Sequence, residues 1–166
     1  MASFTLDEIA KATGGRLQRR GSRSFVTGVS TDTRTIGDGE LFIALIGENF
    51  NGHEFLKRAV LSGAAAVVIS DETFESDVDP SVSVFLVADT KQALEDIAHF
   101  HRMRFHVPVI GVTGSNGKTT TKDMITALLS TRYNVCATQK NFNNEIGLSM
   151  TPVEKVEGAA DIAILD

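Results

Sequence analysis

The chain has 166 residues, which is enough for one sizeable domain, or for one small domain and part of another. Its formal net charge of −5 at pH 7 argues against a general nucleic-acid-binding protein, because such proteins carry a basic surface. A single cysteine, Cys136, excludes an intrachain disulfide, and the sequence shows neither a secretory leader pattern nor an apolar run of about 18 residues. We therefore expect a cytoplasmic protein with no nucleic-acid partner and no membrane partner.

The first half of the chain predicts short helices and strands in mixed order. Thr5 and Glu8 have the spacing of a capping box, which predicts a helix that begins there and ends at Gly14. The other elements are short apolar segments bounded by turn residues: strands over 26–30, 41–45, 65–69 and 83–87, and a helix over 53–62.

From residue 89 onwards the pattern changes to alternating helices and strands. The predicted order is a helix over 89–104, a strand over 107–113, a loop, a helix over 119–131, and strands over 133–137 and 160–165. Such alternation predicts a parallel sheet. The fold class is therefore α/β, with a small mixed domain over residues 1–88 and the start of a parallel-sheet domain over 89–166. About 60 residues cannot cover both faces of such a sheet, so we expect part of a longer protein rather than a domain that ends on an edge strand.

A glycine-rich loop with the features of a phosphate-binding loop joins the buried-type strand 107–113 to the next helix. Two glycines allow backbone conformations that turn successive N–H groups towards one anion, and the helix start adds its unpaired N–H groups. A strict loop of this class would have glycine at Val112, so this one is a variant. The alternative is an ordinary turn before a helix. The predicted phosphate-binding residues are Gly114, Ser115, Asn116, Gly117, Lys118, Thr119 and Thr120.

Three further groups of polar residues are candidates for ligand binding. The first is a cluster between two strands, which could instead be an aspartate-capped turn with a solvated arginine. The second could present an amide and an imidazole to the same ligand, or merely start a helix. The third follows a strand of the phosphate-loop unit, where ligands bind in open α/β sheets, although asparagine is also common in loops. In order, these groups are Ser30, Thr31, Asp32, Thr33 and Arg34; Asn51, Gly52 and His53; and Asn141, Asn143 and Asn144.

The loop sequence Thr-Gly-Ser-Asn-Gly-Lys-Thr over 113–119 resembles the Mur ligase family. Residues 30–34, 39–45, 47–53 and 64–69 resemble, in order and spacing, the uridine-nucleotide-binding domain with which that family begins. Residues 141–148 resemble the signature of members that add D-alanyl-D-alanine to UDP-N-acetylmuramoyl-tripeptide. The sequence departs from the pattern at Lys140, Ser149 and Asp166, the last of which stands where the family usually has a glutamate.

This resemblance implies an ATP-dependent amide ligase of peptidoglycan precursor synthesis that works through an acyl phosphate. It implies a uridine-nucleotide-binding domain over 1–88 and the start of an ATP-binding domain over 89–166. ATP and Mg²⁺ would be the cofactors, with Lys118 and Thr119 in catalytic roles and with Thr119 and Asp166 holding the metal. The substrates would be UDP-N-acetylmuramoyl-tripeptide and D-alanyl-D-alanine.

We expect a monomer whose 166 residues do not catalyse ligation alone. One alternative is a neighbouring Mur ligase or a folylpolyglutamate-type synthase. Another is a stand-alone, non-catalytic nucleotide-binding module.

Overall fold

The structure, a computed structural model, describes residues 3–137 and 162–165. Contacts divide the chain into two units, residues 2–97 (the first unit) and residues 98–166 (the second unit). The division falls within the helix predicted over 89–104. The domain boundary at residues 88 and 89 stays a prediction.

The first unit contains nine short strands and three α-helices among the described residues. The described residues of this unit also form two short 3-10 helices, Gly52–Phe55 and Glu72–Asp77. In chain order the elements are β1 (Phe4–Thr5), α1 (Leu6–Thr13), β2 (Arg16–Arg19), β3 (Phe25–Val26), β4 (Val29–Ser30), β5 (Leu41–Ile43), β6 (Ile46–Gly47), β7 (Phe50–Asn51), α2 (Leu56–Leu61), β8 (Ala66–Ile69), β9 (Ser83–Leu86) and α3 (Thr90–Arg102), which continues into the second unit.

A five-stranded sheet in the order β2-β9-β8-β5-β4 organises the first unit. In this sheet β4 pairs with β5, β5 with β8 and β8 with β9, and all three pairs are parallel. Strand β2 forms one edge of the sheet and pairs antiparallel with β9. The carboxyl ends of β4 and β5 therefore lie at the same edge of the sheet, which is where open α/β sheets form ligand sites. Two small antiparallel pairs, β1 with β3 and β6 with β7, complete the strand pairing.

The central strands are buried on both faces. Phe42 of β5 and Val67 of β8 pack in one cluster with Leu56 of α2, while the alternate residues Leu41 and Val68 are buried as well. Runs that are apolar at every position are typical of parallel strands covered on both sides. Each fully buried side chain of this size stabilises the fold by roughly 1.5–3 kcal/mol.

The beginning and the end of α1 are as predicted. The Thr5 hydroxyl accepts a hydrogen bond from the Glu8 N–H at 3.3 Å, and the Glu8 carboxylate accepts one from the Thr5 N–H at 2.8 Å. Gly14 ends the helix with a left-handed φ of 62°. The capping box is confirmed.

The second unit has a three-stranded, fully parallel sheet in its described part. Its elements are β10 (Val109–Gly111), α4 (Lys118–Leu129), β11 (Val135–Ala137) and β12 (Ile162–Leu165). The strand order is β10-β12-β11, so the last strand in sequence lies in the middle. This arrangement confirms the predicted α/β class with a parallel sheet. Strand β10 is shorter than predicted, and Pro108, which lacks an N–H group, directly precedes it.

Candidate functional sites

The predicted phosphate loop lies between the carboxyl end of β10 and the first turn of α4. Gly117 is the N-cap of α4 and has φ 77°, while Gly114 has φ 152°. Side-chain-bearing residues rarely adopt these φ values, so the loop requires glycine at both positions. Residues 113–117 are exposed. The loop is therefore open to a ligand.

Three N–H groups at the centre of the loop make no backbone hydrogen bond within the described part of the chain. Among residues 3–137, the backbone N–H groups of Ser115, Asn116 and Gly117 donate no backbone hydrogen bond, and the first such bond of the helix runs from Thr121 N to Gly117 O at 2.9 Å. A helix start with free N–H groups attracts anions through those groups and through the helix dipole. The Lys118 ammonium lies at the same place, with Nζ 2.7 Å from Gly114 O. Together these groups can hold phosphate oxygens.

A second site is a cavity of about 330 Å³ in the first unit. It lies at the carboxyl ends of β4 and β5, and all its lining residues come from positions 31–58. They are Thr31, Asp32, Thr33, Arg34, Phe42, Leu45, Phe50, Gly52, Phe55 and Arg58.

Asp32 organises the turn that follows β4. Its carboxylate accepts hydrogen bonds from the Arg34 backbone N–H at 2.9 Å and from Arg34 Nε at 2.9 Å and 3.0 Å. The Ser30 hydroxyl joins the same turn, since it donates to Asp32 O and accepts from Asp32 N, both at 3.2 Å. The hydrogen bonds from Arg34 lower the pKa of Asp32 from 3.8 to about 2. At neutral pH the cavity therefore contains an aspartate paired with an arginine.

The aspartate-capped turn and the cavity wall are thus the same residues. The structure shows the Asp32-capped turn, which was one of the two interpretations, and it also places residues 31–34 on a cavity wall. Whether this cluster binds a ligand stays a prediction.

Aromatic side chains form another wall of the cavity. Phe50 and Phe55 line it while 54% and 41% exposed, respectively. The Phe50 ring packs so closely on the β6–β7 hairpin that a Cβ at Gly47 would collide with it. Exposed aromatic faces held in place by the backbone suit stacking on a planar ring of a ligand.

The Asn51–His53 group has a structural role in the conformation observed. His53 is only 1% exposed, and both of its ring nitrogens are engaged: Nδ1 lies 2.7 Å from Asn51 Oδ1, and Nε2 accepts from Ser70 N at 3.0 Å. Because Nε2 accepts, Nδ1 carries the proton and the ring is neutral. Burial lowers the pKa of His53, which favours this neutral form. Of the three residues, Gly52 lines the cavity, and ligand contact by Asn51 or His53 stays a prediction.

Several predicted site residues cannot be located. Asn141, Asn143, Asn144 and Asp166 lie outside the described residues. Within the described ranges no group of three or more His, Cys, Asp or Glu side chains could hold a metal ion. Thr119 lies in the first turn of α4, and its role as a Mg²⁺ ligand stays a prediction. In the same part of the chain, no helix has the length and apolar character needed to cross a membrane.

Five cavity residues were missed by the sequence analysis: Phe42, Leu45, Phe50, Phe55 and Arg58. The last two share a signal with Gly52, because the spacing of three residues places them on one face of the helical segment that begins at residue 52. Helical spacing alone does not tell which face looks into a cavity.

The fold and the loop define a class, namely α/β proteins with a nucleotide-type phosphate loop at the carboxyl edge of a parallel sheet. Two family profiles match the sequence. The profile described as Mur ligase family, catalytic domain, matches residues 25–102, and the one described as Mur ligase middle domain matches residues 112–166.

Curated relatives and solved structures agree with these profiles. A UDP-N-acetylmuramoyl-tripeptide–D-alanyl-D-alanine ligase from Bacillus subtilis is 42% identical over 167 residues, which covers 100% of this chain and 36% of that ligase. The ligase of the same name from Synechocystis is 49% identical over 129 residues, covering 78% of this chain and 28% of its own length.

A crystal structure of MurF from Acinetobacter baumannii matches with a TM-score of 0.87 and 29% identity, covering 99% of this chain and 36% of that one. The MurF ligase of Thermotoga maritima, solved in complex with ADP, matches with a TM-score of 0.70 and 31% identity, covering 89% of this chain and 31% of that one. The chain therefore belongs to the Mur ligase family. It spans about a third of the length of these relatives.

Proposed function

We propose that this chain supplies the uridine-nucleotide-binding and phosphate-loop parts of an ATP-dependent ligase that adds D-alanyl-D-alanine to UDP-N-acetylmuramoyl-tripeptide. The observation that carries the proposal is the loop 114–120. It has two left-handed glycines, N–H groups at residues 115–117 that donate no backbone hydrogen bond within residues 3–137, and the Lys118 ammonium at a helix start. The names of the relatives and the ADP bound to the Thermotoga structure support the choice of reaction and nucleotide.

The chemistry divides into two transfers. The substrate carboxylate attacks the γ-phosphorus of ATP, so that ADP leaves and an acyl phosphate forms; the amine of D-alanyl-D-alanine then attacks the acyl carbon, and phosphate leaves. Loop N–H groups and Lys118 would hold the phosphates and offset the charge that spreads over the transferred group. Mg²⁺, held by Thr119 and a carboxylate, would neutralise further phosphate charge.

The cavity of the first unit would hold the uridine nucleotide of the other substrate. Thr31 and Thr33 offer hydroxyls for a uracil or a ribose, the aromatic wall offers a stacking face, and a guanidinium suits a diphosphate. We further propose that the complete protein works as a monomer in the cytoplasm, which supplies its ATP.

The test is titration of the chain with ATP and with UDP by isothermal calorimetry, first separately and then in succession. Two separate sites predict one equivalent of each nucleotide, with ATP affinity unchanged after saturation with UDP. Absence of ATP binding, or displacement of ATP by UDP, would contradict the proposal.

A second candidate is a neighbouring reaction of the same family. A UDP-N-acetylmuramoyl-L-alanyl-D-glutamate–2,6-diaminopimelate ligase from Chlorobaculum tepidum is 36% identical over 130 residues, covering 75% of this chain and 25% of that ligase. The two named reactions differ in the uridine-nucleotide substrate and in the amine that attacks. An assay of the full-length protein with each amine, paired with its own uridine-nucleotide substrate, separates the two candidates.

A further inference from the structure

We propose that Arg58, rather than Arg34, is the residue of the cavity that binds the diphosphate of the uridine nucleotide. This inference rests on the proposed function of the cavity and assigns the residue that recognises the anionic part of its ligand. Arg34, the other arginine of the cavity wall, is the alternative residue for this role.

Arg34 already has a partner. Its Nε and its backbone N–H both donate to the Asp32 carboxylate, two residues earlier in the chain. Its side chain is 77% exposed, and the pairing raises the pKa of Arg34. To bind a phosphate through the same nitrogen, Arg34 would have to give up a charge-assisted hydrogen bond and leave Asp32, also negative, near the ligand. This arrangement fits a residue that shapes the turn.

The Arg58 side chain differs from that of Arg34 in its contacts. Within residues 3–137 and 162–165 its side chain makes no hydrogen bond or ion pair, although it lines the cavity. The neighbouring lysine is different, because Lys57 pairs with Asp77 at 2.9 Å and does not line the cavity. Arg58 shares its helix face with Gly52 and Phe55, and this face forms one side of the cavity.

The charge of the cavity depends on this residue. Its charged lining residues are Asp32, Arg34 and Arg58, and the first two neutralise each other. Arg58 therefore gives the cavity a net positive charge, and it is close enough to Asp32 to contribute to the low pKa of that carboxyl. Phe42, Phe50 and Phe55 form apolar walls beside this exposed guanidinium. A diphosphate is an anion of the size and geometry that a guanidinium binds through two nitrogens.

The experiment compares UDP with uridine, which lacks the diphosphate. The 166-residue chain and three variants, Arg58→Gln, Arg58→Lys and the control Lys57→Gln, are titrated by calorimetry at low and high salt. Lys57→Gln removes the same charge from the adjacent position. We expect Arg58→Gln to weaken UDP binding at least about tenfold while uridine affinity changes less than about twofold. Arg58→Lys should lie between, since it keeps the charge and loses the planar fork.

The other results of this experiment support or overturn the assignment of Arg58. Lys57→Gln should bind both ligands like the parent, and Arg58→Gln should show a weaker salt dependence of UDP binding. Unchanged UDP affinity in Arg58→Gln, or equal losses for UDP and uridine, would overturn the assignment. If the parent binds neither UDP nor uridine, the proposed substrate site fails. Inorganic pyrophosphate is then the probe: binding that Arg58→Gln abolishes supports the anion-binding role of Arg58, and any other result overturns it.

Discussion

Lys118 donates to the carbonyl of its own loop, Gly114 O. A phosphate oxygen is a stronger acceptor than a neutral carbonyl, because a charged acceptor roughly doubles the strength of a hydrogen bond. We therefore expect the lysine to exchange this carbonyl for phosphate when a nucleotide binds.

The substitution Lys118→Ala removes this donor from the loop. It should weaken ATP binding by about 1.5–3 kcal/mol, or roughly ten- to hundredfold in Kd, which is the contribution of a hydrogen bond to a charged group. Lys11→Ala, an exposed lysine of α1, is the control for loss of one positive charge. Equal ATP affinity of parent and Lys118→Ala in a calorimetric titration would refute the phosphate-loop assignment.

His53 should make the stability of the first unit depend on pH. Burial, opposed in part by the charge of Asp71, lowers the pKa of folded His53 below its ordinary value of 6.5. Between these two pKa values the unfolded chain binds a proton that the folded chain does not, so stability falls as pH drops below about 6.5 and levels off below the folded pKa. Urea midpoints at pH 7.5 and at lower pH should differ less in His53→Gln than in the parent.

An NMR titration checks the same point directly. The imidazole signal that disappears in His53→Gln should titrate with a midpoint below 6.5 in the parent. A midpoint at or above that value, together with equal pH dependence of parent and variant, would contradict the buried, neutral state of the ring.

At the scale of elements, the capping box of α1 offers a test with a conservative control. Thr5→Ala removes the acceptor for the Glu8 N–H and should destabilise the first unit by about 1 kcal/mol. Thr5→Ser keeps the hydroxyl and should stay close to the parent. Urea unfolding followed by circular dichroism measures both, and equal losses in the two variants would show that the methyl group matters rather than the cap.

Elements with a strong local signal could be predicted from the sequence. The capping box, the apolar strands β5, β8 and β9, and the strand–loop–helix around Gly117 all follow from spacing and side-chain type. Strand β2 could not be predicted, because its sequence Arg-Leu-Gln-Arg has little strand character. It pairs with β9, and Arg16 and Arg19 form ion pairs with Glu72 and Glu75. Tertiary contacts outweigh local preference there.

The two candidate sites also differ in how far the sequence alone predicts them. The phosphate loop is contiguous, so its residues could be identified by their order alone. The cavity is formed by residues that follow β4 and β5, by the β6–β7 hairpin and by one face of a helical segment. Arg58 lines it because the helical turn places Arg58 on that face. No local sequence pattern indicates that the His53 ring lies between Asn51 and Ser70 and is bonded to both.

At the scale of the whole molecule, the described residues place one candidate site in each of the two units. The chain spans about a third of the length of the curated ligases that it matches. We therefore expect these 166 residues to bind nucleotides without forming an amide product. The check is a phosphate-release assay with ATP, UDP-N-acetylmuramoyl-tripeptide and D-alanyl-D-alanine, with the full-length protein as positive control. Ligation by the chain alone would refute this expectation.

The described lining residues of the cavity all fall within positions 31–58, a short and continuous stretch of the chain. A site assembled from one stretch can be inherited, or exchanged by recombination, as a single piece of gene. Consider a chimera that received this stretch from another family member, with the surrounding strands left in place. Its cavity would acquire the lining residues, the charge and the aromatic side chains of the donor's cavity in one step. Ligand preference in this unit should therefore evolve as a module.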